Sequence, residues 1–166
     1  GIRVTGGVEA DSVADTTGLR VLATRASPPL REILPAFEKP SQNQIGEVLL
    51  KTLGRERTGV GRADSGLVVI RRQLASWGID SASVALLDGS GLTRRNFLTP
   101  EAVVRVLAVM RADAHFEVFF NALPTAGVDG TTRTRMLGTP AQANARAKTG
   151  TLDRVRNISG YVTTAD

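Results

Sequence analysis

Three short polar motifs of this chain combine residue types that could act together on a substrate. The stretch KTG at residues 148–150 places a cation, a hydroxyl and a residue without a side chain in one run of small residues. Far upstream, Ser41 and Asn43 supply a second hydroxyl and an amide, and the stretch DGSGL at residues 88–92 lies between the two. All three motifs fall at the boundaries of predicted elements, where binding and catalytic residues are commonly found.

Each motif alone also has a purely structural interpretation. Ser41 and Gln44 have the spacing of a capping box, in which the Ser hydroxyl and the Gln side chain satisfy the first amides of a helix. DGSGL contains two dipeptides that are common in turns, and KTG could be one surface lysine beside a glycine bulge. The residues of each motif, taken singly, leave the structural and functional interpretations open.

Hydrophobic periodicity predicts helices before and after the motif that contains Ser41 and Asn43. A helix opened by Ser27-Pro28-Pro29 should end or kink early at Pro35, because proline lacks the N–H that a helix interior needs. The helix after Ser41 should stop at Gly54, and a third helix should close at Gly78. The apolar positions that define these helices are Leu30, Ile33, Leu34 and Phe37, then Ile45, Val48, Leu49 and Leu53, then Leu67, Ile70, Leu74 and Trp77.

Other patterns predict two more helices and a small sheet. Thr99 and Pro100 are a typical N-cap and first helical residue, followed by a helix through Met110, and HFEVFFNAL predicts a short fifth helix. ARAKTGTL and ISGYVTTA alternate and are separated by DRVRN, which predicts an antiparallel hairpin, while GLRVLATRA and residues 83–87 predict short strands. The expected fold class is α/β of the α+β type, a helical cluster packed on an antiparallel sheet.

Composition excludes several classes of protein. The 42% hydrophobic content fits a soluble globular domain, and the absence of cysteine excludes a disulfide scaffold and a cysteine-based zinc site. The charge of +5 is spread over 21 basic and 16 acidic residues with 4% aromatics, which favours a solvated basic surface over a nucleic-acid site. His115 has no second ligand at helical spacing, so we expect no metal.

Together the motifs resemble those of the penicillin-recognising serine enzymes. ASPPLREILPAF, KPSQNQIGEVLLKTLG, LLDGSGLTRRNFLTP and AKTGTLDRVRNISGYVTTAD are similar to class C low-molecular-mass penicillin-binding proteins, the D-alanyl-D-alanine carboxypeptidase and endopeptidase family. The resemblance implies a partial β-lactamase/transpeptidase-like fold, with residues 20–166 as the C-terminal part of the penicillin-binding domain. Residues 1–19 would be the end of an inserted domain or a linker.

The first motif of that family, Ser-x-x-Lys, is missing, since no serine here has a lysine three places on. In the family it carries the nucleophile and its activating lysine, so the resemblance implies that this chain is a fragment. For the residues present, it implies that Ser41 relays a proton to the leaving D-alanine and that Asn43 holds the scissile amide. Lys148 would be the catalytic cation beside the substrate carboxylate.

The resemblance also implies a set of substrate-binding residues. Thr149 would offer its hydroxyl to the carboxylate, Gly150 would let an extended substrate lie against the strand, and the N–H of Thr151 would complete an oxyanion hole with that of the nucleophile. The pocket for the third residue of the peptide would be lined by Ser90, Gly91, Leu92, Arg94 and Leu152.

The implied partners are peptidoglycan stem peptides, β-lactam antibiotics and the missing N-terminal part of the protein, without cofactor, metal or nucleic acid. The implied location is exported, either periplasmic or in the cell envelope. Two alternatives on the same fold stay open, a ligand-binding module without a nucleophile and a β-lactamase or esterase. A nucleic-acid-binding protein is the most distant option.

Overall fold

The computed structural model of the chain describes residues 3, 5–7, 17, 18 and 20–164. In chain order its elements are α1 (Leu30–Glu38), α2 (Asn43–Thr58), α3 (Ala63–Ser76), β1 (Val84–Ala85), β2 (Phe97–Leu98), α4 (Pro100–Arg111), α5 (Phe116–Ala122), β3 (Arg146–Leu152) and β4 (Val155–Tyr161). The helices and the antiparallel β3–β4 hairpin confirm the predicted fold class. Most of residues 1–19, expected to be a linker or the end of an inserted domain, lie outside the described residues.

Helix α1 runs through Pro35, so the predicted early end at this proline is wrong. The proline removes one hydrogen bond, the one its N–H would have donated to the carbonyl of Arg31. The helix continues because its apolar side packs against α5, and the N–H of Lys39 donates to the Pro35 carbonyl at 3.2 Å. Tertiary packing therefore outweighs the local cost of the proline.

Helix α2 also passes its predicted stop, Gly54, and ends at Gly59, which has a φ of 77°. Gly54 is a contact glycine, because a Cβ there would lie 2.8 Å from the backbone nitrogen of Gly66 on α3. The close approach buries Leu50 and Leu67, which are 3% and 7% exposed. The glycine that looked like a terminator is thus what lets α2 and α3 cross in contact.

The strand predicted for GLRVLATRA does not form over its described residues. Residues 20–29 are neither helix nor strand, and the side chains of Val21 and Leu22 are 76% and 79% exposed. A strand needs a partner for its backbone groups, and the described part of the chain brings none to this segment. The strand predicted at residues 83–87 shortens to Val84–Ala85, paired with Phe97–Leu98.

The β3–β4 hairpin is confirmed, with a tighter turn than DRVRN. Leu152 pairs with Val155, so the turn is Asp153-Arg154, with Arg154 at a φ of 64°. Tyr161 anchors the hairpin to the helices, because its ring packs edge-on against Phe116 at a centroid distance of 5.2 Å. The hydroxyl of Tyr161 donates to the carbonyl of Leu107 at 2.7 Å.

The most buried segment connects α5 to the loop that precedes β3. Ala122, Leu123 and Ala126 are 0%, 3% and 1% exposed. The Ala126 N–H donates to the Ala145 carbonyl at 2.9 Å, so this segment lies beside the start of β3. Among the described residues, no helix is long and apolar enough to cross a membrane.

Candidate active site

Ser41 lies in a strained turn between α1 and α2 and does not cap a helix. Helix α2 begins at Asn43, with Gln42 at the N-cap position and without a side-chain cap, so of the two interpretations of Ser41 the capping box with Gln44 does not form. Ser41 has a φ of 60°, a conformation that costs a residue with a Cβ about 1–2 kcal/mol. The turn is closed by the Gln42 N–H, which donates to the Phe37 carbonyl at 3.0 Å.

The strained turn directs the Ser41 hydroxyl at Lys148. The ammonium of Lys148 donates to Ser41 Oγ at 2.7 Å and to the Thr149 carbonyl at 2.8 Å. Because an ammonium has three N–H donors, one stays available for a further acceptor after these two bonds. Since side chains alternate along a strand, Lys148 emerges on the face opposite the buried Ala147. The structure therefore brings together Ser41 and Lys148, two of the residues that the sequence predicts for one site.

A half-buried carboxylate, Glu38, lies near this pair. Burial raises the pKa of Glu38, and the positive charge of Lys148 opposes that rise. Burial lowers the pKa of Lys148, and the charge of Glu38 works in the opposite direction. The sequence analysis missed Glu38. Its signal was an acid in the last turn of a helix, where the helix dipole disfavours negative charge.

The hydroxyl of Thr149 is also held within the site. Thr149 Oγ1 donates to Thr131 Oγ1 at 2.7 Å, and the N–H of Thr131 donates to the Lys39 carbonyl at 3.0 Å. The side chain of Lys39 forms an ion pair with Asp129. Asp129 Oδ1 also accepts the Thr125 N–H at 2.8 Å. The stretch GVDGTTRTRMLGTPAQ, which contains Asp129 and Thr131, has little hydrophobic periodicity and therefore predicts only a loop.

One edge of β3 is open beside these side chains. Strand β4 pairs with one edge, and among the described residues the other edge forms a single bridge, between Arg146 and Thr125. The Ala147 N–H points to that second edge, where it donates to the Pro124 carbonyl at 2.9 Å. Since N–H directions alternate along a strand, the Thr151 N–H also points to this edge, away from β4. An extended ligand there could reach the Thr151 amide.

Asn43 and Gly150, the other predicted residues of the Ser-x-Asn and Lys-Thr-Gly motifs, make fewer contacts with the Ser41–Lys148 pair. Asn43 is exposed at the first position of α2, two residues from Ser41. At Gly150, a Cβ would lie 2.5 Å from Oδ1 of Asn157 on β4. The missing side chain therefore makes room for the Asn157 amide across the hairpin, and it leaves the backbone of β3 uncovered at this position.

The DGSGL loop packs on the first turns of α2, just beyond the Ser41 turn. A Cβ on Gly46 would lie 2.5 Å from the Gly89 carbonyl oxygen, so the helix glycine permits a close approach of the loop. Glu47 Oε1 accepts the N–H groups of Gly89 and Ser90 at 3.1 and 3.0 Å. The loop is further closed by Asp88, whose carboxylate accepts the Gly91 N–H at 2.8 Å.

Of the residues predicted for the third-residue pocket, Arg94 contacts the KTG hairpin. Its guanidinium lies 3.3 Å from the carboxylate of Asp153, next to the half-buried Leu152. Leu92 is 53% exposed, so it does not enclose a pocket together with Arg94 and Leu152. Arg94 thus meets the tip of the hairpin, while the N–H of Ser90 is bound to Glu47 of α2 and that of Gly91 to Asp88 within the loop.

His115 is exposed, and its Nδ1 lies 3.0 Å from Asp113 Oδ1. Within the described ranges, no group of three or more His, Asp or Glu residues could hold a metal ion. The described side chains that meet around Lys148 are the hydroxyls of Ser41, Thr149 and Thr131 and the carboxylate of Glu38, and hydroxyls, charges and backbone amides are groups that acyl transfer can use.

Over residues 1–166 the chain matches the family described as D-Ala-D-Ala carboxypeptidase 3 (S13). The chain belongs to this family. It is 40% identical over 168 residues to a D-alanyl-D-alanine carboxypeptidase of an Actinomadura species, covering 98% of this chain and 31% of that protein. It is also 32% identical over 149 residues to the D-alanyl-D-alanine carboxypeptidase DacB of Haemophilus influenzae, covering 88% of this chain and 31% of that protein.

A solved structure of the family has the same fold. It is penicillin binding protein 4 (dacB) of Haemophilus influenzae in complex with a β-lactam, with a TM-score of 0.76 and 31% identity. The match covers 82% of this chain and 32% of that structure. The chain therefore spans about a third of the length of these S13 relatives.

Proposed function

We propose that this chain forms the Ser-x-Asn and Lys-Thr-Gly half of a serine D-Ala-D-Ala carboxypeptidase that acts on peptidoglycan stem peptides and is acylated by β-lactams. The observation that carries the proposal is the 2.7 Å contact between Lys148 Nζ and Ser41 Oγ. It unites two motifs from opposite ends of the chain next to an open strand edge. The nucleophile comes from a Ser-x-x-Lys segment outside residues 1–166, and a protein that contains both is called the complete protein below.

The carboxylate of the terminal D-alanine binds beside Lys148 and Thr149. The ammonium has a donor to spare, and the site is half-buried, so water screens the attraction less than it would at the surface. Glu38 opposes the loss of the Lys148 proton that burial favours. This carboxylate therefore supports the positive charge that the substrate requires.

The peptide then lies along the open edge of β3. Its scissile carbonyl oxygen accepts from the Thr151 N–H, which, with the N–H of the nucleophile, stabilises the charge of the tetrahedral intermediate. The nucleophile forms an ester with this carbonyl carbon as the amide C–N bond breaks. The proton lost by the nucleophile reaches the leaving nitrogen through Ser41, whose hydroxyl accepts one proton and donates another. Water later cleaves the ester and releases the shortened peptide.

Two further assignments belong to this proposal. Asn43 holds the substrate amide from the start of α2, and Ser90, Leu92, Arg94 and Leu152 contribute to the pocket for the third residue of the peptide. An enzyme with this substrate works where peptidoglycan is, so the complete protein is exported to the periplasm or cell envelope. Endopeptidase action on crosslinked peptides would use the same groups.

A fluorescent penicillin tests the proposal. The complete protein is incubated with the label, digested and mapped, and we expect the labelled serine to lie in a Ser-x-x-Lys sequence outside residues 1–166. The isolated chain, as a control, should not be labelled. Stable labelling of the isolated chain would contradict the assignment of the nucleophile. A complete protein that binds penicillin reversibly without a covalent label would identify a binding module instead.

A further inference from the structure

The loop between α5 and β3 contacts both halves of the proposed site, yet none of its residues has a part in the mechanism above. We call residues 124–132 the brace loop. At one end, the Pro124 carbonyl accepts the Ala147 N–H of β3 at 2.9 Å. At the other end, the Thr131 N–H donates to the Lys39 carbonyl at 3.0 Å, two residues before Ser41.

The brace loop holds Thr131 in a fixed place. A Cβ on its neighbour Gly130 would lie 2.7 Å from the Lys39 carbonyl oxygen and 2.9 Å from Pro124 Cβ, so the backbone is packed tightly there. The next residue, Thr132, is fully buried. Because the backbone on both sides of Thr131 is fixed, its hydroxyl has little freedom to move from Thr149.

The contact between the two threonine hydroxyls bears directly on carboxylate binding. Their Oγ1 atoms lie 2.7 Å apart and share a hydrogen bond in which either hydroxyl can be the donor. A hydroxyl has one proton and two acceptor lone pairs, so Thr149 cannot donate to Thr131 and fully to a carboxylate at the same time. The pair can reverse, with Thr131 donating to Thr149 and Thr149 donating to the carboxylate, and such chained bonds strengthen each other.

We propose that Thr131 is a positioning residue, which orients the Thr149 hydroxyl toward the substrate carboxylate by donating a hydrogen bond to it. The inference rests on the proposed function, because it takes Thr149 as a carboxylate contact. It predicts that the Thr131 hydroxyl contributes to the preference for a free C-terminal carboxylate and does so only through Thr149.

The test measures kcat/KM of the complete protein on a peptide ending in D-Ala-D-Ala and on its C-terminal amide. Thr131→Val should lower the ratio of acid to amide activity about threefold to tenfold, the usual size of one lost hydrogen bond. Thr131→Ser, which restores the hydroxyl, should return the ratio to within about twofold of wild type by the same measure. Thr134→Val, an exposed threonine just beyond the brace loop, is the matched control and should leave the ratio unchanged.

The ratio is independent of how much of each sample is folded, because both substrates are measured on one preparation. Thr131→Ala removes the hydroxyl with less crowding and serves if the valine variant yields too little enzyme. A further variant, Thr149→Val, tests the carboxylate contact of Thr149 separately from the positioning role of Thr131. If Thr149→Val leaves the ratio at the wild-type value, the carboxylate contact in the proposed function is wrong.

If Thr149→Val lowers the ratio but Thr131→Val does not, the proposed function stands and the inference is overturned. The double variant decides the route of the effect, because a residue that acts only through Thr149 adds nothing once that hydroxyl is gone. We therefore expect the Thr131→Val and Thr149→Val double variant to match Thr149→Val. A further fall in the ratio would show that Thr131 acts on the substrate by another path.

Discussion

Lys148 and Ser41 are separated by 107 positions in the chain, and the Nζ and Oγ atoms of their side chains lie 2.7 Å apart. The contact depends on a backbone conformation that serine rarely adopts, since Ser41 has a φ of 60°. Strain of this kind is found mostly at functional sites, where the surrounding structure maintains it. The strained backbone of Ser41 thus orients its own hydroxyl toward Lys148.

Replacing Ser41 by glycine should separate the backbone strain from the chemistry. Glycine adopts positive φ freely, so Ser41→Gly should leave the stability of the complete protein unchanged or raise it by up to about 1 kcal/mol. The same change should slow acylation roughly 10²–10⁴-fold, the effect of a lost proton-transfer group. Thermal melting and the rate of penicillin acylation measure the two effects. Acylation within about twofold of wild type would show that Ser41 only shapes the turn.

Glu38 should set the alkaline limit of activity through Lys148. Its negative charge raises the pKa of Lys148, so Glu38→Gln should lower that pKa and remove the ammonium at a lower pH. The alkaline limb of the kcat/KM profile should therefore shift to lower pH. Glu32→Gln, on the exposed side of α1, is the matched control. An unchanged alkaline limb in Glu38→Gln would show that this limb does not report the charge of Lys148.

The ion pair of Asp129 should make stability depend on acid pH. Burial opposes the charged form of Asp129, but the bonds from Lys39 and Thr125 outweigh it, so its pKa in the folded protein lies below the ordinary 3.8. A carboxylate with a lowered pKa contributes stability that is present above 3.8 and is lost as the pH falls through its folded-state pKa. Asp129→Asn should thus destabilise the protein at pH 7, and the difference should shrink at acid pH.

Urea unfolding of the complete protein at several pH values measures this difference. We expect it to be about 1 kcal/mol at pH 7, because the pair is partly exposed and water weakens the attraction. Asp153→Asn removes the exposed partner of Arg94 and should have a smaller effect. A difference between wild type and Asp129→Asn that stays constant down to pH 2 would assign the loss to packing and not to charge.

Local sequence patterns predicted the helices and the hairpin, because the spacing of apolar residues that distinguishes a helix from a strand can be read from residues close together in the chain. Thr99 does cap α4, where its Oγ1 accepts the Ala102 N–H at 3.2 Å. The errors at Pro35 and Gly54 have a common cause, since packing between helices decided both and no local signal reports it. The same holds for residues 20–26, which alternate like a strand but have no partner strand among the described residues.

Part of the site could be predicted and part could not. Ser41 and Lys148 were paired because their motifs resemble those of a family, whereas nothing local indicates that two such distant residues meet. Glu38 and Thr131 were missed because the fold alone brings them to Lys148 and Thr149. The carboxylate of Glu38 at the end of α1 and the Asp129-Gly130 dipeptide before Thr131 are weak signals on their own. Their position beside Lys148 and Thr149 is visible only in the fold.

In the proposed enzyme, the charge of Lys148 binds the substrate carboxylate. This role can be measured as the acylation rate of Lys148→Ala in the complete protein, on a D-Ala-D-Ala peptide and on its C-terminal amide. We expect the acid to slow by about thirtyfold to a thousandfold, corresponding to roughly 2–4 kcal/mol, and the amide to slow much less. Lys148→Arg should recover only part of the rate on the acid, because the planar guanidinium cannot reproduce the contacts of a compact ammonium. Lys51→Ala, which removes an exposed cation of α2, should leave both rates unchanged. Equal slowing of acid and amide by Lys148→Ala would show that the charge of Lys148 does not bind the carboxylate.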